Sequence, residues 1–142
     1  MPRKPVSQVR ADLPRKARPG DDRAVISGLS AKAVAEIARV ERRAYAPGAA
    51  HQALRGWRQM VYQPGPRVTY PRWFSECPCC GPAWGGDHRQ TLEAICHRLS
   101  RGSARELRAV LAPLDERFLA RTLNDPYASP RDPWWRRRLG TP

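Results

Sequence analysis

The chain has 142 residues, and its 26 Lys and Arg residues outnumber its 13 Asp and Glu residues, which gives a formal net charge of +13. This length predicts one domain with tails, and the basic excess predicts attraction to a polyanion, meaning DNA, RNA or an anionic lipid surface. No stretch approaches the ~20 apolar residues that cross a bilayer, and residues 1–23 lack the apolar run of a signal peptide, so we expect a cytoplasmic protein.

The chain begins with a predicted basic arm and continues into a helical domain. Residues 1–23 contain four prolines and no hydrophobic periodicity, which is typical of a disordered arm. A single helical domain is predicted over residues 24–123. Its first helix runs from about Ala31 to Tyr45 behind the N-cap Ser30, and a Pro-Gly pair ends it.

A second helix is predicted between Ala49 and Tyr62, because Leu54, Trp57 and Val61 recur with helical spacing. Arginines on the outer sides of the first two helices are predicted to contact phosphates. They are Arg39, Arg42 and Arg43 on helix one, and Arg55 and Arg58 on helix two. Residues 68–74 (VTYPRWF) follow, and a proline within them restricts the segment to a sheet edge or a non-strand role.

The third predicted helix has the clearest amphipathic pattern. Asp87 is its expected N-cap, and Gly102 is placed to end it. Its apolar face comprises Leu92, Ile95, Cys96 and Leu99, which fall at the spacing of one helical stripe.

Helix four is predicted from a capping box formed by Ser103 and Glu106. Pro113 predicts a kink or a fresh start, because its ring clashes with the preceding turn. The apolar stripe continues to about Leu123, and residues 124–142 are predicted to form an extended tail rich in Pro, Trp and Arg.

Three of the four cysteines lie in the stretch ECPCCGPAWGGDH, which runs from Glu76 to His88 and forms most of a predicted loop at residues 75–88. Its C-P-x-C-G pattern, Cys77 to Gly81, resembles the knuckle of a zinc ribbon. Two thiolates three positions apart in a tight turn can bind one ion, and glycine lets the backbone curl beneath it. Because the prolines and glycines leave only a small core, we expect zinc at this cysteine loop to stabilise the domain.

Two ligand sets are compatible with the spacing. One set comprises Cys77, Cys79, Cys80 and His88. The other comprises Cys77, Cys80, Cys96 and either His88 or His97. The second set requires helix three to begin later than predicted, because His88 and Cys96 would otherwise lie about 12 Å apart along the helix axis. Cys96 also fits the apolar face as a small buried hydrophobic residue, so its role stays open.

The same stretch permits two catalytic interpretations. A redox role for Cys77 and Cys80 needs a helix directly after the pair, which the Gly-Pro-rich sequence up to Asp87 prevents. The Asp87–His88 dipeptide resembles that of small His-metal nucleases, where a hairpin carries it, whereas here a helix begins at once. No nucleophile–base set, paired carboxylates or phosphate-cradling glycine loop stands elsewhere in the sequence, and we expect no enzymatic activity.

The tail contains the run WWRRR, residues 134–138. Aromatic rings beside guanidinium groups suit stacking on unpaired bases with phosphate contacts. The same residues suit a membrane interface, an anchor inserted into a protein groove, or indoles that complete the domain's own core.

Together these features predict a mainly α protein, a bundle of about four helices with a zinc-knuckle loop before helix three and disordered or extended tails. The leading functional hypothesis is a zinc-stabilised, non-enzymatic protein that binds DNA or RNA through phosphates. The alternative is an adaptor that docks a protein partner through its helices and its Trp-Trp-Arg tail. In the tail, the predicted nucleic-acid contacts are Trp134, Trp135, Arg136, Arg137 and Arg138.

Overall fold

The computed structural model describes residues 25–63 and 87–140, and within these ranges the chain is mainly helical, as predicted. Its four α-helices there are α1 (Ala31–Ala44), α2 (Ala49–Val61), α3 (His88–Cys96) and α4 (Arg101–Ala120). Two short antiparallel strands follow, β1 (Thr122–Asn124) and β2 (Arg138–Gly140), with Leu123 opposite Leu139. The predicted arm at 1–23, the segment 68–74 and most of the cysteine loop lie outside the described residues. None of the described helices is both long and apolar enough to cross a membrane.

A buried carboxylate joins the first two helices. Gly48 adopts a φ of +83°, a left-handed conformation that favours glycine, and this reverses the chain between α1 and α2. Glu41 near the end of α1 then accepts hydrogen bonds from the backbone N–H groups of Gly48 (2.9 Å) and Ala50 (2.8 Å). Since a helix N-terminus leaves its first N–H groups unpaired, Glu41 takes the place of a side-chain cap on α2.

Helix α4 begins earlier than its sequence predicts. Ser100 is the N-cap and accepts a hydrogen bond from the Ser103 N–H, so Gly102 lies inside the first turn and does not end α3. The predicted capping box fails because Ser103 is itself buried and Glu106 bonds elsewhere. The helix also continues through Pro113 without a fresh start. The missing backbone hydrogen bond there is offset by the apolar residues buried on both sides of it.

Helices α1 and α4 cap each other's N-termini. The backbone N–H and hydroxyl of Ser30, the α1 N-cap, donate to the two carboxylate oxygens of Glu106 at 2.7 and 3.0 Å. The same two groups of Ser100 donate to Glu36 of α1, both at 3.0 Å. The pairing order shows that the first turns of the two helices run antiparallel, and each glutamate places negative charge at a helix N-terminus.

These reciprocal caps predict an acid-sensitive domain. Hydrogen bonds from the backbone and hydroxyl of the partner serine lower the pKa values of Glu36 and Glu106, against a smaller opposing effect of desolvation. A carboxyl group whose folded-state pKa is depressed contributes stability above its unfolded pKa and loses that contribution as the pH falls. We therefore expect the urea midpoint to decrease when the pH is lowered from neutral to below the ordinary glutamate pKa of about 4.3.

The double variant Glu36→Gln/Glu106→Gln should show a smaller difference between these two urea midpoints than the wild-type protein does. Glu116→Gln, which removes one exposed carboxylate of α4 that takes no part in the caps, serves as the control for losing a surface charge. An unchanged acid dependence in the double variant would show that the caps contribute nothing to it.

The core lies between α2, α3 and α4 and is built around Trp57 and Phe118, whose ring centroids are 4.9 Å apart. Residues 124–140 fold back onto it, in contrast to the predicted extended tail. Trp135 is 4% exposed, and Trp134 packs against Phe118 with centroids 6.2 Å apart. The physical reason is that a core this small gains stabilising apolar area from two indole rings. The tail therefore belongs to the domain up to Gly140.

Candidate nucleic-acid interface

Three arginines converge on a cleft of about 230 Å³ between α1 and the α3–α4 turn. Arg39 and Arg43 stand one turn apart on the exposed side of α1, and Arg98 approaches from the α3–α4 turn. The bond between Ser100 and Glu36 fixes that turn against α1. The reciprocal cap thereby holds the turn that carries Arg98 beside Arg39 and Arg43 of α1, and we call the hollow that these residues line the arginine cleft.

The arginine cleft carries net positive charge. Neither Arg39 nor Arg43 has an acidic partner among the described residues, and the Arg98 guanidinium lies over the Tyr45 ring at 5.5 Å. Glu36 also lines the cleft, but both of its oxygens accept hydrogen bonds from Ser100. Three arginines thus line a cleft with one carboxylate whose oxygens are already occupied, and no other described carboxylate competes with an anion there.

The other three helix arginines that were predicted to contact phosphates are exposed. They are Arg42 on α1, and Arg55 and Arg58 on α2. They do not line the arginine cleft. Arg98 could not be predicted from the sequence, because no local pattern shows that the α3–α4 turn lies beside α1.

The predicted tail contacts are largely engaged inside the fold. Trp135 is buried, and Trp134 is half-buried against Phe118. Arg136 donates to the Asp87 carboxylate, which also accepts from the Gln90 N–H as the N-cap of α3. Arg138 bonds to the Leu119 carbonyl and to Thr122, where its positive charge complements the C-terminus of α4. Arg137 differs, because its Nε is buried without a hydrogen-bond acceptor among the described residues.

The structure separates the described candidate metal ligands. Helix α3 begins at His88, so the second ligand set lacks the later helix start that it requires. The buried His88 imidazole lies against α2, where a Cβ added to Gly56 would overlap it. Cys96 is buried in the apolar core at the other end of α3, and burial raises the pKa of its thiol to about 11. The His97 side chain is 70% exposed and lies 3.4 Å from Glu93.

Cys77, Cys79 and Cys80 lie outside the described residues, and zinc binding stays a prediction. Within residues 25–63 and 87–140, no three His, Cys, Asp or Glu side chains converge as a metal site. Cys96 lies in the apolar core among Leu92 and Ile95, which fits the buried hydrophobic role that its sequence position also allows. The first ligand set is therefore the one to test.

We expect untagged protein to contain about one zinc per chain, as a site with four ligands from one loop would hold. Cys77→Ser or Cys80→Ser should lose the metal, whereas the control Cys96→Ala should retain it. Elemental analysis after gel filtration measures this directly. A metal-free wild-type protein would contradict the prediction, and metal loss in Cys96→Ala would assign the ligands differently.

Comparison of the chain with protein-family models, with curated proteins and with solved structures finds no match.

Proposed function

We propose that this protein binds nucleic acid through its phosphates, without catalysing a reaction. The observation that carries the proposal is the arginine cleft, where Arg39, Arg43 and Arg98 surround one hollow without an acidic partner for the two α1 arginines among the described residues. A guanidinium fork matches the geometry of phosphate oxygens and can bind two of them at once. The net charge of +13 supplies a long-range attraction of the same sign.

The arginine cleft would bind one phosphate, and the neighbouring exposed arginines would bind the next phosphates along the strand. Arg42 on α1 and the α2 pair Arg55 and Arg58 are such neighbours in solvent. Contacts of this kind are made with the backbone and give affinity without reading base sequence.

Zinc at the cysteine loop has a structural role in this proposal. The loop ends at Asp87, the N-cap of α3, and Asp87 also binds Arg136. A metal held by the loop would thus stabilise the start of α3 and, through Arg136, the segment that folds back.

The triple variant Arg39→Gln/Arg43→Gln/Arg98→Gln is expected to weaken binding to DNA and RNA. The slope of log affinity against log salt concentration should become shallower by about 0.9 for each duplex phosphate that the variant no longer neutralises, because fewer counterions are released. Fluorescence anisotropy with labelled duplex DNA, from about 50 to about 200 mM salt, measures both changes.

The control for the triple variant removes three exposed arginines elsewhere, as Arg108→Gln/Arg117→Gln/Arg131→Gln. The control has the same net charge as the triple variant (the cleft variant), but its arginine cleft is intact. It should therefore keep a steeper salt slope than the cleft variant. Wild-type protein that binds neither DNA nor RNA at low salt, or binds independently of salt, would reject the proposed function.

A protein partner is the second candidate, and a different feature favours it. An apolar groove of about 320 Å³ lies beside α1 and the start of α2, and its lining includes Ile26, Leu29 and Ile37. Val25 at its edge is 57% exposed. A partner that binds the cleft variant as tightly as wild-type protein would support the adaptor role.

A further inference from the structure

The hollow lined by Arg137 has a volume of about 300 Å³ and lies between the end of α4 and the two-stranded sheet. Its walls are formed by Leu119, Asn124, Trp134, Arg137 and Arg138. This volume is at the lower end of the range for small-molecule pockets, about 300–1,000 Å³, which suits one planar group and excludes a double helix. We call this feature the tail hollow.

Trp134 gives the tail hollow a rigid aromatic wall. The ring is held by Phe118 at 6.2 Å, by an edge-on contact with Trp135 at 5.6 Å and by the Arg89 guanidinium at 5.6 Å. An aromatic side chain that is already fixed loses little conformational freedom when a ligand stacks on it. Leu119, which is 41% exposed, adds an apolar surface beside the ring.

The two arginines of the tail hollow have different roles. Arg138 is bound to the Leu119 carbonyl and to Thr122, so its guanidinium belongs to the wall. The Arg137 Nε is buried and has no hydrogen-bond acceptor in the part of the chain that the structure describes. A buried donor without an acceptor is costly, which makes an incoming anion a favourable partner.

Asn124 provides the third kind of group. Its backbone pairs with Arg138 in the sheet, while its exposed side chain makes no hydrogen bond to another described residue. The free amide offers both a donor and an acceptor, as the edges of nucleobases require. An acidic peptide would use the charge of Arg137 but has no need of an aromatic wall and an amide together.

We infer that the tail hollow binds one unpaired nucleotide, with its base against Trp134 and Asn124 and its phosphate on Arg137. A flat ring, a guanidinium and an amide around a one-base volume are the groups by which proteins recognise single-stranded nucleic acid. The inference rests on the proposed function and narrows it, because a duplex keeps its bases stacked and unavailable. The protein therefore prefers single strands over duplexes.

The test compares labelled oligothymidylate with a DNA duplex of the same length, by fluorescence anisotropy at one salt concentration. Wild-type protein is expected to bind the single strand more tightly. Asn124→Ala/Arg137→Gln should weaken single-strand binding roughly tenfold and duplex binding less than about twofold, since stacking and edge contacts act only on unpaired bases. Intrinsic tryptophan fluorescence should be quenched by oligothymidylate and left unchanged by the duplex.

Each alternative outcome decides the question. Equal binding of both probes, with a normal salt slope and no effect of the double variant, overturns the single-strand inference and leaves the proposed function standing. Binding of neither probe rejects both. Binding of polyglutamate that depends on Asn124 and Arg137, without an effect on oligothymidylate, reassigns the tail hollow to an acidic protein. An unchanged thermal midpoint in Asn124→Ala/Arg137→Gln shows that its weaker binding does not come from unfolding.

Discussion

Arg89→Met is expected to destabilise the protein by about 3–5 kcal/mol, the range for removing one partner of a buried ion pair. The Arg89 side chain is 5% exposed and donates two hydrogen bonds to Asp115, at 3.1 and 2.9 Å, and one to Glu93 at 3.0 Å. Among the described residues, its removal would leave the half-buried Asp115 carboxylate with the Trp57 N–H at 3.0 Å as its remaining hydrogen-bond donor.

Aromatic rings and two carboxylates make this buried charge tolerable. The Arg89 guanidinium lies 4.6 Å from the centre of the Trp135 ring. Burial opposes the charge, but the hydrogen bonds and charges of Asp115 and Glu93 outweigh it and raise the pKa of Arg89. The double variant Arg89→Met/Asp115→Leu should regain part of the missing stability, because it leaves no carboxylate unpaired.

Arg108→Gln is the matched control for Arg89→Met. Arg108 also binds Glu93 at 3.0 Å, but its side chain is 47% exposed. Exposed pairs contribute about 0–1 kcal/mol, so the urea midpoint should change little. Equal destabilisation by Arg89→Met and Arg108→Gln would contradict the assignment of Arg89 as the central ion pair of the core.

Trp135→Ala is expected to cost about 3–5 kcal/mol, the usual range for removing a large aromatic side chain from a core. Trp135 is 4% exposed and contacts both Trp134 and Arg89. Tyr127→Ala is the control from the same segment, since Tyr127 is 90% exposed, and it should change stability by about 0.5 kcal/mol or less. Urea unfolding followed by circular dichroism gives both values.

If both variants are equally stable, residues 124–140 do not contribute a core residue. If Trp135→Ala is destabilised and Tyr127→Ala is not, truncation before Asn124 cannot test what the segment binds. Such a truncation would also remove part of the core. Substitutions at Asn124 and Arg137, which line the tail hollow, keep the segment in place and are the appropriate probes of binding.

Much of the helical fold could be predicted from local patterns. The starts of α1 and α3 follow from Ser30 and Asp87, whose side chains accept from N–H groups three residues later, as N-caps do. The sheet could not be predicted, because three-residue strands are too short to show an alternating pattern. Local patterns could not decide whether Ser100 or Ser103 is the N-cap of α4, because serine is a favourable N-cap at either position.

The candidate site was only partly predictable. Arg39 and Arg43 follow from the amphipathic pattern of α1, whereas Arg98 joins them through a tertiary contact. Because Arg89 is charged, it is expected on the surface when only the sequence is known. Its partner Asp115 lies 26 residues away in the chain. Long-range pairing therefore decides which arginines face solvent and which one enters the core.

The mutual capping of α1 and α4 has a consequence for folding cooperativity. Its hydrogen bonds join residues 76 and 64 positions apart, so they form only after most of the chain has been brought together. The ends of isolated helices fray, but here opening either N-terminus also uncaps the other helix. The amide protons of Ser30 and Ser100 should therefore exchange with solvent together, in the same cooperative opening that separates the two helices.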